Sequence, residues 1–481
     1  MVRSWKTWWT EAEPWYAAVA LANMGMGTSS VLIPLLLSRV LGRPTSELGW
    51  LAASVSLMGV IGSLTWGRLS DAAHRRKLFI VASYAVTGAL HASLWTVGSY
   101  SSLLLANMLL NLFWVANASV TVLVVIENRP KAMWEAKIGQ LNQIGALGWV
   151  GGLGLGGALL AALPRLTGEA AAIRMLFLLI AGLQLSAAIT AALTVPRTVP
   201  RFTARRFRGV ILAVGSFLTD RGSFSPQHLY HRLAPVLVWR RLFGESGFHS
   251  GTKRFLVVTL LAFVGFGLFA IPLPLALSDR FGVPPSVVFA YFLIQHVAIV
   301  LAYPLASRRI KRLGNRRIQM LASGGRLLLF SGAAVLTATS VAAPSWLLAA
   351  AFFAYGLSWS YFQLSGVALI SRLARRENRG LALGLYNAVA GLGWILAGVG
   401  SGVLTGSFGY AASFAAGAAL LVACLASLLF VPDPSAEGSM PNGHGSRYAP
   451  RDGYSGGAAR RREENAPSDA PAAPPTSPAA P

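Results

Sequence analysis

The chain has 481 residues, of which 54% are hydrophobic and 12% are charged, and it contains one cysteine. A soluble domain is about a quarter charged, so this composition excludes an ordinary soluble protein. The single cysteine also excludes a disulfide framework or a cysteine-rich zinc site. The formal net charge of +24 would indicate a nucleic-acid partner in a soluble protein, so the positions of the basic residues have to be examined.

Uncharged stretches that are long enough to cross a bilayer follow one another along the chain. A transmembrane helix needs about 20 apolar residues, and six stretches of suitable length are 14–38, 48–67, 138–164, 175–196, 255–278 and 281–307. Three stretches of double length are 78–126, 327–371 and 380–432. Turn-forming residues divide these near 98–102, 343–344 and 406–410. The sequence therefore predicts an all-α, polytopic membrane protein with twelve transmembrane helices.

The basic residues lie mainly on one side of this topology. If the N-terminus is inside, the outer loops carry Arg39, Arg43, Arg165, Arg174 and Arg280. One further arginine lies within a span, and all the other lysines and arginines face the cytoplasm, as basic residues near span ends do. We therefore expect a multi-pass protein of the cytoplasmic (inner) membrane with both termini in the cytoplasm. The positive charge is then explained by anionic lipid headgroups, without nucleic acid.

The segments outside the spans have distinct expectations. We expect residues 1–14 to form a cytoplasmic N-terminus without a cleavable signal peptide. The basic linker 197–254 contains two short amphipathic stretches, 209–218 and 228–243, which we expect to lie in the membrane interface, with Trp239 and Phe243 toward lipid. The tail 433–481 is rich in proline, alanine, glycine and serine and is expected to be disordered and cytoplasmic.

An internal repeat divides the spans into two sets of six. The segment GQLNQIGALGWVGG from Gly139 matches GLYNAVAGLGWILA from Gly384 at an offset of 245 residues. The loop GRLSDAAHRRK from Gly67 has a similar counterpart, SRRIKRLGNRR from Ser307, at an offset of 240. The two offsets nearly agree, so we predict two pseudo-symmetric six-helix bundles, residues 15–196 and 255–432.

The loop after span 2 resembles a motif of the major facilitator superfamily, Gly-x3-Asp-x2-Gly-Arg-[Arg/Lys]. It is matched here by Gly67, Asp71, Arg75 and Arg76, with His74 in place of the second glycine. The resemblance implies a cytoplasmic gate, in which the Asp71 carboxylate faces the positive N-terminus of a neighbouring helix. The alternative is an ordinary positively charged cytoplasmic loop.

Span 5 resembles a glycine motif associated with exporters of the same family. The spacing is kept by Gly139, Gly148, Gly152, Gly156 and Gly157, and Gly393 is the repeat-related partner of Gly148. Leu153 stands where the motif has proline. Close helix packing explains fourfold glycine spacing without export, so the resemblance favours export but leaves uptake open.

Charged residues inside the spans are rare. None of the 17 acidic residues lies in the middle of a span, which puts proton antiport in doubt. His91 and His296 do lie within spans, where each either titrates or acts as a neutral hydrogen-bonding group. Arg326 lies well inside span 9 beside Gly324 and Gly325. It must be paired, hydrated or snorkelling, and it either binds an anionic group or joins two helices through a carbonyl or carboxylate. The resemblance places span 9 on the outer, supporting side of the helix bundle. It therefore favours the second role, in which Arg326 joins two helices.

Polar and aromatic residues mark a candidate substrate cavity. The resemblance places spans 1, 4, 7 and 10 around a central cavity. Further candidates for the lining are the repeat-related asparagines of spans 5 and 11 and the polar residues halfway along span 8. The residues are Asn23, Asn107, Asn111, Asn142, Gln295, His296, Tyr355, Trp359, Gln363 and Asn387. An uncharged, amide-rich lining suits a small neutral or amphipathic solute. The alternative is that the amides join helices.

We therefore expect a secondary active transporter that works by alternating access as a monomer among membrane lipids, with no metal, cofactor or catalytic residues. Uptake or facilitated diffusion on the same fold is one alternative. A membrane scaffold or lipid-handling protein is another. An intramembrane enzyme would need a catalytic motif, and the sequence has neither His-Glu-x-x-His nor Gly-x-Ser-x-Gly.

Overall fold

The structure is a computed structural model, and it describes residues 12–73, 75–130, 133–196, 250–339, 341, 343–374 and 379–432. Within these ranges the regular structure is helical, and no residue lies in a strand. The predicted amphipathic stretches of the linker and the predicted tail lie outside the described residues.

Within the described ranges, twelve long helices follow one another and confirm the predicted all-α membrane fold. They are α1 (Tyr16–Leu35), α2 (Thr45–Ala73), α3 (Arg76–Ser93), α4 (Tyr100–Asn128), α5 (Trp134–Ala162), α6 (Glu169–Thr194), α7 (Ser250–Ala270), α8 (Pro285–Leu313), α9 (Asn315–Thr339), α10 (Ser345–Leu373), α11 (379–408) and α12 (410–428). The last two form the continuous segment Arg379–Leu428, which is divided at Gly409, where φ is 81° and ψ is 177°.

Length and composition identify most of these helices as membrane spans. Nine segments of the described residues are long and apolar enough to cross a membrane, and the last of them, Ala382–Leu428, contains both α11 and α12. Helices α2 and α3 complete the set of twelve. The chain is therefore a multi-pass membrane protein.

The predicted breaks fall where the helices end. The Ser99 hydroxyl caps α4 by accepting a hydrogen bond from the Ser102 amide, and Pro344 directly precedes α10. Several helices extend beyond the uncharged stretches that predicted them. Helix α2 begins at Thr45 rather than residue 48, and α7 begins at Ser250 rather than residue 255, because charged side chains at a helix end can reach the membrane interface.

Two helices end irregularly on the same side of the molecule. Helix α1 continues into a π-helical turn, Leu36–Val40. Helix α7 is followed, after Pro272, by the short helix Leu273–Phe281. These extensions carry Arg39 and Asp279 beyond the ends of the regular spans.

Helix packing repeats between the two halves of the chain. In the first half α1 packs against α5 and α6, α2 against α4, and α3 against α4 and α6. In the second half α7 packs against α11 and α12, α8 against α10, and α9 against α10 and the last segment. The halves contact each other through α2 with α11 and α5 with α8. This correspondence is the pseudo-symmetry that the sequence repeat predicts.

Candidate functional site

The first contact between the halves joins the beginning of α2 to the end of α11. A Cβ atom built on Gly402 would lie 2.6 Å from the Ser46 carbonyl oxygen, and one on Gly398 would lie 2.6 Å from the Ala53 nitrogen. Real Cβ atoms do not approach so closely, so only glycine allows this helix crossing. The contact lies at the end of the molecule where α2 begins.

The second contact joins α5 to the beginning of α8. The Phe289 side chain lies against Gly156 and Gly157, and a Cβ atom built on Gly157 would be 3.0 Å from the Phe289 Cβ. Further along the same pair of helices, the rings of Trp149 and His296 stack with their centroids 5.9 Å apart. Both contacts between the halves are therefore tight where α2 and α8 begin, and we call this side the closed end.

Polar side chains join the halves across the closed end. The Tyr410 hydroxyl donates a 2.6 Å hydrogen bond to Asp279 Oδ2 and lies 2.8 Å from Thr45 Oγ1. Arg39 Nη2 is 4.0 Å from Asp279 Oδ1. We call Arg39, Thr45, Asp279 and Tyr410 the latch. Arg39 and Thr45 come from the first half, whereas Asp279 and Tyr410 come from the second.

Sequence reasoning missed the latch. Arg39 was interpreted only as a topology signal, and Tyr410 only as part of a turn. The signal in the sequence is that Arg39 and Asp279 both follow a span that ends on the predicted outer side. No spacing in the sequence relates these two segments to each other. A cleft of about 360 Å³ adjoins the latch and includes Gly42, Arg43 and Pro44 in its lining.

Unpartnered polar atoms mark the interior of the molecule. Gln295 Oε1 on α8 and Gln363 Oε1 on α10 are buried and have no hydrogen-bond partner in the described structure, and the same holds for Trp149 Nε1 and Arg326 Nη1. Most buried polar atoms in proteins are paired, so a group of unpaired ones needs an explanation. Gln295 and Gln363 belong to the predicted cavity, whereas Trp149 does not.

Contacts connect these atoms into one region. Trp149 stacks on His296, which follows Gln295 in α8. The Gln295 backbone in turn lies against Gly356 of α10, where a Cβ atom would be 3.0 Å from the Gln295 carbonyl carbon. Three residues further along α10 is Trp359. The region therefore extends from α5 through α8 to α10.

Two predicted aromatic residues surround Arg326. The guanidinium carbon lies 4.6 Å from the Tyr355 ring centroid, 5.1 Å from that of Trp359 and 4.1 Å from that of Phe266. Arg326 Nε donates a 3.1 Å hydrogen bond to Ser358 Oγ. We call Arg326 with these four neighbours the arginine cage. It joins α9 to α7 and α10 through rings and a hydroxyl, whereas the sequence predicted a carbonyl or carboxylate.

The predicted asparagines make local contacts. Asn23 donates a 2.8 Å hydrogen bond to the Val19 carbonyl, and Asn111 donates a 3.4 Å bond to the Asn107 carbonyl, each one turn back in its own helix. Asn142 and Asn387, the repeat-related pair, are both exposed. The structure therefore brings Tyr355 and Trp359 together around Arg326, whereas Gln295 and His296 reach α10 through the contact of the Gln295 backbone with Gly356. Gln363 lies one turn beyond Trp359, and no bond from an asparagine side chain to these residues is given among the described residues.

His91 lies in a separate polar network inside the first half. Its Nε2 is 3.1 Å from Ser29 Oγ, and its Nδ1 is 2.8 Å from the Thr87 carbonyl oxygen. Gln184 donates a 3.0 Å bond to the Ala22 carbonyl and lies 3.4 Å from the Thr87 hydroxyl. These bonds join α1, α3 and α6, which is the hydrogen-bonding role that the sequence left as one alternative for His91.

The predicted gate residues lie at the opposite end of α2. Arg76 is buried and donates two hydrogen bonds, of 3.0 and 2.8 Å, to Glu127 Oε1 at the end of α4. Arg75 is exposed and precedes α3. Gly67 and Asp71 belong to α2, but their side-chain positions lie outside what the structure describes. Arg76 is thus paired with a residue of its own half.

Glycines of α5 allow it to cross α1 closely. A Cβ atom on Gly148 would overlap the Ala20 carbonyl, and one on Gly152 would overlap the Met24 carbonyl. In the repeat-related crossing, a Cβ on Gly393 would be 2.7 Å from the Phe263 Cβ of α7. Gly139 departs from the predicted packing role, because its Cβ position has nothing within 4 Å. It lies in the second turn of α5, before the helix reaches the crossing.

The family of the chain follows from a comparison of its sequence with family models. The model of the Major Facilitator Superfamily matches residues 15–340 and 255–463. The chain belongs to the major facilitator superfamily. A search of curated proteins gives no significant match to this major facilitator protein.

Solved structures of transporters share the fold of this major facilitator protein. The nucleoside transporter NupG aligns with a TM-score of 0.63 and 14% identity, over 87% of this chain and 98% of that one. A mutant of a peptide transporter POT has a TM-score of 0.64 and 15% identity, over 89% and 95% of the two chains. A D-xylose-proton symporter has a TM-score of 0.61 and 15% identity, over 87% and 97%. At these identities the similarity establishes the fold.

Family membership also decides between the broad classes of function. This major facilitator protein is a transporter of small molecules rather than an enzyme. Among the described residues, no group of three or more histidine, cysteine or acidic side chains has an arrangement suited to a metal ion.

Proposed function

We propose that the protein carries a small neutral or amphipathic solute across the cytoplasmic membrane by alternating access, with export as the favoured direction. The main support is the group of unpartnered polar atoms on α5, α8, α9 and α10, because a bound solute would supply the missing hydrogen bonds. The group includes atoms from both halves, as a site between two rocking halves requires.

The contacts between the halves support a conformation that is open on one side only. The closed end is held by the latch and by the two glycine-dependent crossings. Toward the other end, Asn142 on α5 and Asn387 on α11 are exposed. Because basic residues favour the cytoplasmic side, we assign the closed end to the outside, and the conformation is then inward-facing.

The chemistry of the lining supports the proposed solute class. Trp359, Gln363 and Gln295 offer an aromatic surface and amide groups, which suit the apolar part and the neutral polar groups of such a solute. The proteins of similar fold are named for transport of nucleosides, peptides and D-xylose with protons, and none of these names indicates export. Export therefore rests on the resemblance of the α5 glycine spacing alone.

Transport by the purified protein tests this proposal. The full chain is reconstituted into proteoliposomes, and uptake of solutes selected by thermal stabilisation is measured with and without an imposed proton gradient. Saturable flux above protein-free vesicles supports a carrier, and a response to the gradient separates proton-coupled transport from facilitated diffusion. Ligand binding without any flux would contradict the proposal and favour a scaffold or lipid-handling protein.

We propose that residues 15–196 and 255–432 form the two moving bundles, connected by the linker 197–254, and that the protein acts as a monomer. We also propose that Gly67, Asp71, Arg75 and Arg76 form the gate at the cytoplasmic end. The Arg76–Glu127 pair supports an ordered helix junction there.

A further inference from the structure

Arg326 is a buried charge that the described protein does not neutralise. Its side chain is 1% exposed and lies about halfway along α9. No acidic side chain of the described ranges is within salt-bridge distance of it. Arg76, the other deeply buried arginine of the described chain, has Glu127 at 2.8 Å. A charge placed in the membrane interior without a counter-charge is costly, so such residues are functional candidates.

The neighbours of Arg326 satisfy the guanidinium only in part. Three aromatic rings within 5.1 Å stabilise the charge through their π faces. Ser358 accepts a hydrogen bond from Nε, and Nη1 has no partner. A guanidinium presents paired N–H groups that match both oxygens of a carboxylate. The guanidinium therefore keeps donor capacity at Nη1 for a further acceptor.

The arginine cage adjoins the candidate solute site. Trp359 forms one wall of the cage, and its side chain is only partly buried. Gln363, one turn further along α10, carries another unpartnered oxygen. A solute that reaches Trp359 and Gln363 would therefore be next to Arg326.

We propose that the arginine cage is an anion subsite, and that the transported solute is an amphipathic molecule with a carboxylate or a similar anionic group. This inference rests on the proposed transport function and narrows its solute class. The anionic group binds the Arg326 guanidinium, while the apolar part of the solute lies on Trp359. Hydrogen bonds between two charged partners are stronger than those to a neutral amide.

Paired ligands test the subsite on the purified full chain. Thermal unfolding is measured with benzoate and benzamide, phenylacetate and phenylacetamide, and hexanoate and hexanamide, and apparent affinities are taken from the concentration dependence. We expect at least one carboxylate to bind the wild type about tenfold more tightly than its amide. In Arg326→Gln the ratio should fall to about one.

A matched control separates this site from general charge effects. Arg309 also lies over an aromatic ring, 5.8 Å from the Tyr361 centroid, but it is exposed. Arg309→Gln should keep the carboxylate preference of the wild type. If Arg326→Gln does not fold, Arg326→Lys keeps the charge but loses the paired donors, and the preference should fall severalfold.

Three results would overturn the proposal: no pair with a carboxylate preference in the wild type, an unchanged preference in Arg326→Gln, or an unchanged preference in Arg326→Lys. Each of these would make Arg326 a purely structural connection between α9 and α10. Flux measurements distinguish this failure from failure of the transport function. Equal flux of a carboxylate and its amide would contradict the anion subsite and leave the transport function standing. Binding of the carboxylate without flux would contradict the transport function and leave the anion subsite standing.

Discussion

Tyr410 and Asp279 join the beginning of α12 to the short helix that follows α7. The Tyr410 hydroxyl, directly after the break at Gly409, donates a 2.6 Å hydrogen bond to the Asp279 carboxylate. The same hydroxyl lies 2.8 Å from Thr45 at the start of α2 in the first half. Through this one side chain the break between α11 and α12 is connected to the opposite half.

Removal of the Tyr410 hydroxyl should weaken the closed end. In Tyr410→Phe both hydrogen bonds are lost, and each is worth about 1 kcal/mol. We expect the population that is open at this end to rise about thirtyfold. The measurement is the rate of thiol labelling of a cysteine introduced at Ser46, in a Cys424→Ser background. Tyr303→Phe is the control, because Tyr303 is 39% exposed and lies away from the latch. Equal labelling rates in both variants would remove the latch from gating.

Glycine at position 152 should be required for folding. Gly152→Ala places a methyl group against the Met24 carbonyl, and such overpacking costs about 1–3 kcal/mol. Gly154→Ala is the control, since its Cβ position has nothing within 4 Å, and alanine should even favour the helix by up to about 1 kcal/mol. Thermal unfolding in detergent measures both. Equal stability of the two variants would contradict the close crossing of α1 and α5.

Gln363 and Gln184 should differ in how replacement by methionine changes the stability of the protein. Gln363 has an unpartnered oxygen, so Gln363→Met should leave the unfolding temperature unchanged or raised while lowering solute affinity about tenfold. Gln184 is bonded at both ends of its amide, so Gln184→Met should destabilise by about 1–3 kcal/mol. A loss of stability in Gln363→Met without any loss of affinity would place Gln363 among the structural residues.

The Asp71 carboxylate should affect the rate of transport rather than solute binding. Its predicted partner is a helix N-terminus, an interaction of about 1 kcal/mol, so Asp71→Asn should slow turnover about fivefold with KM nearly unchanged. Glu169→Gln provides the control, because Glu169 is an exposed carboxyl in the first turn of α6. Turnover equal to the wild type in both variants would remove Asp71 from the gate.

Local chemistry made the helices predictable. A bilayer requires long uncharged stretches. Ser99 and Pro344 stand at the beginning of helices and Gly409 divides one, for reasons that the sequence carries. Repeat spacing also predicted the crossing at Gly148. The spacing did not separate Gly139, which has no close neighbour, from the glycines at the crossing. Spacing shows which face of a helix the glycines occupy, but not where along the helix its neighbour crosses.

Contacts between distant segments could not be predicted in the same way. Arg39 and Asp279 are 240 positions apart in loops without any periodic pattern. Arg326 was visible as an intramembrane charge, yet its neighbours Phe266 and Ser358 come from two other helices whose rotation the sequence does not fix. Hydroxyl and ring partners are also common in every span, so composition gives no preference for one of them.

Separation of the two halves at the closed end is the central requirement of alternating access. The Cβ atom of Ser46 lies 2.9 Å from the Cβ position of Gly406. This is shorter than the Cβ–Cβ distance of a disulfide, about 3.5–4.5 Å, so the two helices have to separate slightly to accommodate the bond. The most direct measurement is flux by Ser46→Cys/Gly406→Cys in a Cys424→Ser background, before and after oxidation. We predict that the cross-link forms, that it stops transport, and that a reducing agent restores it. Transport at the full rate by fully cross-linked protein would contradict the account.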